Sequence, residues 1–575
     1  MEKYWHILQP DRSRIQALCS HLRCSPIVAA ILVNRELLTP AVASRFLRPS
    51  MEHLRPPFGM QDMAVAVGRV ARAIENREKI MIFGDYDVDG VTAAAILFDF
   101  LKQSGADVSY YIPHRLAEGY GLKPDHIDKV AVPAGVDLIV TADCGSGSHA
   151  AVQRANAAGI DIVITDHHRV SDTLPSAVAV VNPKRPDCSA GFGHLAGVGV
   201  AMAVLICLRK RLRESGLWHA RSEPNLKALC DLVALGTIAD AVPLVDENRL
   251  FVAAGLEVIR SGNTRTGIVG ILNNCHRSCR DVDAADLAFK IVPRLNAAGR
   301  MDHASLAARL LLTESRATAK EIVGLLDKLN DRRKDTERDI LEDIRHYLID
   351  QPQELDGRAL VLAGEGWHAG VLGIVASRLA ERFCRPVVLI STRDGIGKGS
   401  ARSIAGFNLY RALTACADQL ENFGGHSMAA GLSMKPENFS AFKAAFEQAA
   451  AAAGVDTGRM PEIRIDGVLN FDQVTDQLID EIDALQPFGN GNGEPLFMTS
   501  DVGIKQSQIV GARHRRMLLT QSGTGRSFPA IQFNIDPGRA LPERLKKIAF
   551  RLQWNRWNGS KSAQMVVEDI VATLP

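Results

Sequence analysis

Three short apolar runs in the first third of this 575-residue chain end in carboxylates and imidazoles. Ile80–Phe83 leads into Gly84-Asp85-Tyr86-Asp87-Val88-Asp89-Gly90, Leu138–Val140 into Thr141-Ala142-Asp143, and Ile160–Ile164 into Thr165-Asp166-His167-His168. A single aspartate after such a run is ordinarily a helix N-cap. Five carboxylates and two imidazoles on three run ends cannot all be caps, and gathering so many like charges out of water requires cations. Oxygen and imidazole donors without thiolate suit Mn²⁺ or Mg²⁺. A fourth apolar run, Leu232 to Ile238, presents Asp240, which with the others can complete a second metal position. Two divalent ions about 3.5–4 Å apart suit hydrolysis of a phosphoester. This chemistry describes a phosphoesterase or pyrophosphatase without naming its substrate.

Competing motifs fail on spacing. Asp85-x-Asp87-x-Asp89-Gly90 opens like a calcium-binding EF-hand loop, but position 12 is Ile96 rather than Glu, and an apolar helix follows directly. Gly395-Ile396-Gly397-Lys398-Gly399-Ser400 lacks the first glycine of a P-loop. Cys275 and Cys279 are close, but no second pair completes a zinc site, and the ten cysteines read as free thiols of a reducing cytoplasm.

The elements that must position these groups read as α/β. Short β-branched runs alternating with helical segments predict a doubly wound parallel sheet, whose ligands gather at the carboxyl ends of the strands. Residues 1–55 read as an N-terminal helical extension and 56–314 as the catalytic domain. Residues 315–350, apolar at helical spacing, read as a connector helix. Residues 351–455 form a second α/β domain, and alternating runs over 456–575 a small β-barrel. The longest apolar stretch, Leu195–Leu208, is too short to span a bilayer at about 20 residues. No basic segment followed by an apolar one opens the chain, so a cytoplasmic location is expected.

The net charge of +2 argues, taken whole, against a nucleic-acid partner. It is segregated, however: residues 501–575 carry +7 and the first 500 carry −5. The basic segment interleaves Arg513, Arg515, Arg516, Lys546, Lys547, Arg551 and Arg556 with Phe528, Phe533, Phe550, Trp554 and Trp557. Such a barrel suits single-stranded nucleic acid, with cations along the backbone and aromatic faces for bases. About half of those aromatics are expected in the barrel core.

The three run-end motifs resemble the ordered signature of the DHH phosphoesterase superfamily. Further segments narrow the resemblance. These are Leu195-Ala196-Gly197-Val198-Gly199-Val200, Pro293-Arg294-Leu295-Asn296-Ala297-Ala298-Gly299-Arg300, Trp367 to Arg378, Gly399-Ser400-Ala401-Arg402-Ser403, and Phe423 to Gly431. Together they resemble the RecJ family of bacterial single-strand-specific DNA exonucleases, from about residue 50 to the C-terminus. The resemblance implies a DHHA1 domain after the connector and an OB-fold as the barrel. It implies two manganese or magnesium ions and 5′→3′ hydrolysis to mononucleotides in recombination and repair.

By matched motif the resemblance implies Asp87, Asp89, Asp143, His167 and Asp240 as metal ligands, with Asp143 expected to bridge. His168 is expected to meet the substrate phosphate, and Asp85 and Asp166 are either ligands or groups that orient them. The family usually carries Asn where Cys144 stands, which puts that residue's hydrogen bond in doubt. The resemblance places Ser400, Arg402 and Arg115 on the terminal 5′ phosphate, and Arg294, Asn296, Arg300, Arg378 and His426 along the substrate path. Tyr120 either stacks on a base or packs. The cleft between the two α/β domains, its width set by the connector, is expected to exclude duplex. Implied partners are single-stranded DNA with a 5′ end, single-strand-binding protein and a RecQ-type helicase, with the chain a monomer. Two rivals are a DHH phosphodiesterase of short oligoribonucleotides or cyclic dinucleotides, which would not need the basic barrel, and a metal-free DNA-binding scaffold.

Overall fold

In the computed structural model, the apolar runs that end in carboxylates are strands of one parallel sheet. The structure describes residues 3–572 apart from 394, 457, 459, 512, 539, 558 and 559, and apart from the side chains of Trp557 and Ser560. Strands β1 (Lys79–Gly84), β2 (Asp107–Tyr111), β3 (Leu138–Ala142), β4 (Asp161–Thr165) and β5 (Ala179–Val181) lie in the order β2-β1-β3-β4-β5, all parallel. Strands β1, β3 and β4 are buried along nearly their whole length, which is why they read as unbroken Val/Ile-rich runs. Strand β2 was not anticipated. As an edge strand its Asp-Val-Ser-Tyr-Tyr sequence is only partly buried and shows no apolar run. The chain leaves β1 toward β2 on one side and returns to β3 on the other. The crevice of an open α/β sheet forms at such a reversal, and here Asp85 and Asp143 follow the two strands that border it.

Helix α1 (Val88–Gln103) packs against α2 (Gly197–Glu214) and α3 (Cys230–Ala239). Helix α4 (Val292–Met301) leads toward the connector α5 (Arg316–Asp350), 35 residues and so about 52 Å long. Ser315 caps α5 by accepting the Thr318 N–H at 3.2 Å. The first half of α5 buries Ile322, Val323 and Leu326. Its second half gives Ile340, Ile344 and Leu348 to the core under the next sheet. One amphipathic helix thereby belongs to the hydrophobic packing at both its ends.

The second sheet contains β6 (Leu360–Glu365), β7 (Val387–Arg393), β8 (Ile396–Arg402), β9 (Asn422–Gly425) and β10 (Ala429–Met434), in the order β9-β10-β8-β7-β6. Only β6 and β7 run parallel; the rest are antiparallel. The Gly399-Ser400-Ala401-Arg402 motif lies on the central strand β8. Its glycines permit close strand-face packing: a Cβ on Gly399 would stand 2.7 Å from Leu432 Cδ1. Helix α6 (Ala369–Phe383) lies against β7 and β8.

Five further strands, β11 (Phe497–Val510), β12 (His514–Gln521), β13 (Ser527–Gln532), β14 (Arg544–Trp557) and β15 (Ser560–Ala572), run in the order β11-β12-β13-β15-β14, with the short strand Gly467–Val468 paired to the start of β11. Strand β14 pairs back onto β11, closing a five-stranded barrel. The N-terminal residues do not form a separate helical extension. Tyr4–Ile7 is a strand paired in parallel with Glu462–Ile465. The helices that follow place Leu18, Val28, Ile31 and Leu32 in one core with Phe471, Phe497 and Phe550. Residues up to Leu54, Pro243–Val245 and those from Met460 onward form one compact unit, and the rest of the chain another. The reason is size: some fifty residues in short helices cannot bury their own apolar faces. Among the described residues no single helix is long and apolar enough to cross a membrane.

Leu32 is wholly buried in that shared core. Leu32→Ala is expected to destabilise the barrel-bearing unit by about 2–5 kcal/mol, measured by chemical denaturation of the full chain. A change below about 0.5 kcal/mol, the ordinary surface value, would show that the N-terminal helices do not belong to the barrel core.

Candidate active site

Asp85, Asp89, Asp143, Asp166 and His167 are buried at the strand ends, with Asp87 and Asp240 half-buried beside them. Asp143 leaves β3 with φ +65°, a left-handed conformation that a non-glycine residue adopts at a cost, and its N–H donates to Thr165 O at 3.0 Å. Asp87 caps α1 by accepting the Gly90 N–H at 3.0 Å. Asp89 accepts N–H groups from the start of α2, Gly197 at 2.6 Å and Val198 at 2.9 Å, where the helix dipole favours an anion. Asp240 follows α3 as its C-cap, so the fourth apolar run is a helix rather than a strand. Two glycines make room for this crowding. A Cβ on Gly197 would lie 2.4 Å from Asp143 Oδ1, and one on Gly236 would lie 2.8 Å from Asp89 Oδ1.

The imidazoles are held in different states. His167 Nδ1 donates to Leu195 O at 3.0 Å, so Nε2 carries the lone pair. Three carboxylate oxygens face that nitrogen: Asp143 at 3.2 Å, Asp240 at 3.5 Å and Asp89 at 3.8 Å. Burial and the charge of His168 push the His167 pKa down to about 3, so the ring is neutral. His168 is also penalised by burial, but its 2.9 Å hydrogen bond to Asp166 and that residue's charge raise it to about 9. Burial works against the Asp166 carboxylate too, yet its bonds from the His168 ring and from the Ser146, His167 and His168 N–H groups hold it well below the ordinary range. All its acceptor capacity is directed inward.

The other carboxylates are in the opposite condition. Burial, then the charges of neighbouring aspartates, raise Asp85, Asp89 and Asp143 well above the ordinary range and Asp240 to about 7. Asp85 Oδ1, Asp143 Oδ1 and His167 Nε2 are buried without a hydrogen-bond partner. Orphaned acceptors of this kind, facing one another, fit cations. The donor atoms form three groupings: Asp89-His167-Asp240, Asp85-Asp87-Asp143 and Asp143-His167-His168. Asp143 belongs to two of them. Cys144 fills the adjacent core, its thiol 3.8 Å from Phe83 O.

Across from the carboxylates stands a group of guanidiniums. Burial, then Arg115 and Arg402, lower Arg300 to about 9; burial, then Arg115, lower Arg402 to about 10. Among the described residues none of these three arginines forms an ion pair with a carboxylate. Arg402, on β8, donates to Ser377 Oγ at 3.1 Å and Ser400 Oγ at 3.3 Å. Arg300 donates to Gly370 O at 3.2 Å, joining α4 to the start of α6. Arg115 lies over the Tyr86 ring at 4.8 Å. His426 is lowered by partial burial and by the charges of His168, Arg402 and Lys184. Tyr120 keeps an exposed ring while its hydroxyl meets Asp143 O at 3.4 Å and His168 Nδ1 at 3.0 Å.

Three sequence-derived candidates have other tasks. Arg294 is tied to Asp327 on the connector at 2.6 Å and to Lys290 O at 2.7 Å. Arg378 is paired at 2.6 Å with Glu337, also on the connector. Each is thus paired with a connector carboxylate, although the Arg378 side chain remains 60% exposed. Asn296 accepts the Val88 N–H at 3.2 Å and so braces the Asp85–Asp89 turn. Sequence reasoning missed Tyr86, Asn182 and Lys184. Buried Asn182 donates to Ser146 Oγ and His168 O, both at 2.9 Å, and accepts the Lys184 N–H. The signal was present: Asn182-Pro183-Lys184 follow the Val178–Val181 run as the aspartates follow theirs.

On the barrel, Phe528 and Phe550 are core and Phe533 is exposed. Trp554 donates to Asp480 at 2.8 Å with Lys561 over its ring at 4.0 Å. Arg551 and Arg556 pair with Glu568 and Asp483, and Arg515 is buried. Arg513, Arg516 and Lys546 are exposed and Lys547 half-buried. The Trp557 side chain lies outside the described residues.

Comparison with known proteins gives the same three modules. The DHH family N-terminal domain matches residues 79–237, the DHHA1 domain 356–452 and the RecJ OB domain 465–569. The single-stranded-DNA-specific exonuclease RecJ of Bacillus subtilis is 35% identical over 570 residues, covering 98% of this chain and 70% of that protein. That of Escherichia coli is 36% identical over 554 residues, covering 93% of this chain and 95% of that protein. The crystal structure of RecJ in complex with Mn²⁺ from Thermus thermophilus aligns with a TM-score of 0.83 at 30% identity, over 100% of this chain and 80% of that one. Three family domains in one order, and identity above a third along nearly the whole length of a curated relative, have one explanation: this chain belongs to the RecJ family.

Proposed function

We propose that this protein is a single-strand-specific DNA exonuclease that works 5′→3′ from a 5′ end and releases mononucleotides, in recombination and repair. The observation that carries this reading is the opposition of two charge clusters: carboxylates that need cations and guanidiniums that lack anions. Relatives of the same family supply the substrate class, and solved RecJ structures with Mn²⁺ and Mg²⁺ support the choice of ion.

Asp87, Asp89, Asp143, His167 and Asp240 are the proposed ligands, with Asp143 shared between two positions and Asp85 offering a further oxygen beside it. Bound divalent ions supply there a water of lowered pKa and neutralise charge on the scissile phosphate. Leu195 O fixes the His167 tautomer that leaves Nε2 available. His168, protonated at neutral pH, donates toward the phosphate. Asp166 stays ionised, holds that ring and is a positioning residue. Arg402, Ser400 and Arg115 bind the terminal 5′ phosphate, with Arg300 and His426 beside them and Lys184 at the rim. Guanidinium suits this task through bidentate bonds to phosphate. Tyr120, braced on His168, offers its exposed ring to a base. Arg294 and Arg378 are left to the connector. The barrel grips the strand through Arg513, Arg516, Lys546 and Phe533.

The division of the chain follows: residues 56–314 hold the ions, 351–455 the phosphate end, and the 315–350 helix spaces them. A monomer, a cytoplasmic location, single-strand-binding protein and a RecQ-type helicase accompany this reading. The ten free thiols agree with a reducing compartment.

A nuclease assay on 5′-labelled single strands and blunt duplex, with Mn²⁺, Mg²⁺ or EDTA, tests the proposal. Metal-dependent loss of nucleotides from single strands is expected; rapid cutting of blunt duplex, or activity surviving EDTA, contradicts it. Asp143→Asn keeps side-chain shape and tolerates the left-handed backbone. It should cost more than the roughly 10–100-fold in metal affinity or activity caused by losing a group behind a ligand, while gel-shift binding of DNA persists. Undiminished turnover would refute the two-metal assignment.

Protons and metal compete for the same oxygens. Since Asp240 is raised to about 7 and Asp85, Asp89 and Asp143 are raised well above the ordinary carboxylate range, metal binding at pH 6 must displace protons. Calorimetry is expected to show Mn²⁺ affinity rising from pH 6 to 8 with proton release. These folded-state values exceed the roughly 3.9 of an unfolded aspartate. The metal-free fold is therefore favoured by them below that pH and loses the contribution as pH rises through about 7. Mn²⁺ should raise the melting temperature most above pH 7; equal effects at pH 6 and 8 would contradict the assignment.

A further inference from the structure

Arg115 and Tyr120 reach the site from one loop, Ile112–Leu122, which follows edge strand β2. Among the described residues no sheet neighbour covers the outer side of β2, so the loop takes no support from a further strand and is held by its own contacts and by neighbours such as His303, whose ring is 5.6 Å from that of His114. Glu118 lies at their centre. Its Oε1 accepts the Tyr111 hydroxyl at 2.7 Å, at the end of β2. Its carboxylate also accepts the His114 N–H. Buried His126 stands on the third side, its Nε2 at 3.4 Å from Oε1. His126 Nδ1 accepts the Lys123 N–H at 3.0 Å, so Nε2 carries the proton and points to Glu118.

The backbone closes around this centre. Glu118 N donates to His114 O at 2.8 Å, and His114 Nδ1 accepts the Leu116 and Ala117 N–H groups, each at 3.2 Å. Gly119 and Gly121 turn the chain at φ +76° and +78°, directing Tyr120 back onto His168. The His126 ring packs on Phe83 of β1, with centroids 4.9 Å apart, which anchors the assembly to the sheet core. Among the described residues, Glu118 makes no hydrogen bond or ion pair with Arg115, Tyr120 or the aspartates of the site. Its effect on them passes through the loop.

We infer that Glu118 is the positioning residue that sets preference for a 5′-phosphate end, by holding Ile112–Leu122 in the conformation that carries Arg115 to the phosphate cluster and Tyr120 to His168. This rests on the proposed nuclease reading and on Arg115 as a phosphate ligand. Misplacing a charged hydrogen-bonding group by an ångström costs about 10–100-fold.

The test compares full-length wild type, Glu118→Ala, Glu118→Gln, Arg115→Ala and the Glu118→Ala/Arg115→Ala double variant on 5′-phosphorylated and 5′-hydroxyl single strands. Mn²⁺ calorimetry reports that the metal centre is intact. Glu118→Ala is expected to raise KM on the phosphorylated strand about 10–100-fold, with a smaller change in kcat, and to bring the two substrates' kcat/KM together. It should add nothing to the loss of 5′-phosphate preference in Arg115→Ala, because both remove the same phosphate contact, while any loss through Tyr120 falls on both substrates alike. Glu118→Gln keeps one acceptor oxygen and should fall between. A Glu118→Ala protein that binds Mn²⁺ normally and keeps the wild-type preference overturns the inference. So does a variant that weakens both substrates equally and adds fully to Arg115→Ala. If the alanine variant binds no Mn²⁺, wild-type preference in Glu118→Gln overturns it instead. A wild-type enzyme indifferent to the 5′ group removes the role of Arg115 and the inference with it, whereas loss of preference in Glu118→Ala alone supports both.

Discussion

Carboxylates packed together without counter-charge repel, and burial makes each one costlier. That constraint organises the catalytic half of the molecule. The sheet reverses its winding at β1 and β3, so Asp85 and Asp143 meet at one edge. The start of α2 donates two N–H groups to Asp89, and Gly197 and Gly236 stand where any side chain would collide with the carboxylates. Asp143 takes a left-handed backbone to face His167. Bound cations relieve what would otherwise be a site of stored repulsion, which explains why buried oxygens are left without partners.

The guanidinium cluster is the complementary case. Burial, then neighbouring guanidinium charge, lowers Arg300 and Arg402, and among the described residues these two and Arg115 lack carboxylates. They come from three places: the loop after β2, the end of α4 and strand β8. The connector α5 contributes to the cores behind Arg300 and Arg402, whereas Arg115 stands on a loop. Arg294 and Arg378 illustrate the division. Both lie in motifs that read as substrate contacts, yet each neutralises a carboxylate on α5.

The near-neutral total charge conceals this arrangement. Segregation into an acidic catalytic part and a basic tail was readable by counting, but counting could not tell which basic residues are free. Arg551, Arg556 and Lys561 are paired with carboxylates, and Arg515 is buried. The exposed Arg513, Arg516, Lys546 and Phe533 are a smaller set than composition suggested. The N-terminal helices show the same limit. Their local pattern is clear, but their burial partners lie more than 400 residues away in the chain.

The sequence by itself determined the strands buried on both faces, the carboxylates and histidines that end them, the long connector and the family. Each of these is local: an apolar run, a residue at its end, a helical spacing or an ordered motif. Only the tertiary structure decided the rest. It found edge strand β2, placed the Gly399–Arg402 motif on the central strand β8, and joined the N-terminal helices and the barrel into one core. It separated His167, neutral with a lone pair offered inward, from His168, held protonated by the charge of the Asp166 carboxylate. It also placed Glu118, rather than the arginine or tyrosine, among the hydrogen bonds of Tyr111 and His114 in the loop they share. These outcomes depend on neighbours distant in the chain, because burial, charge and hydrogen-bond partners are properties of a position in space.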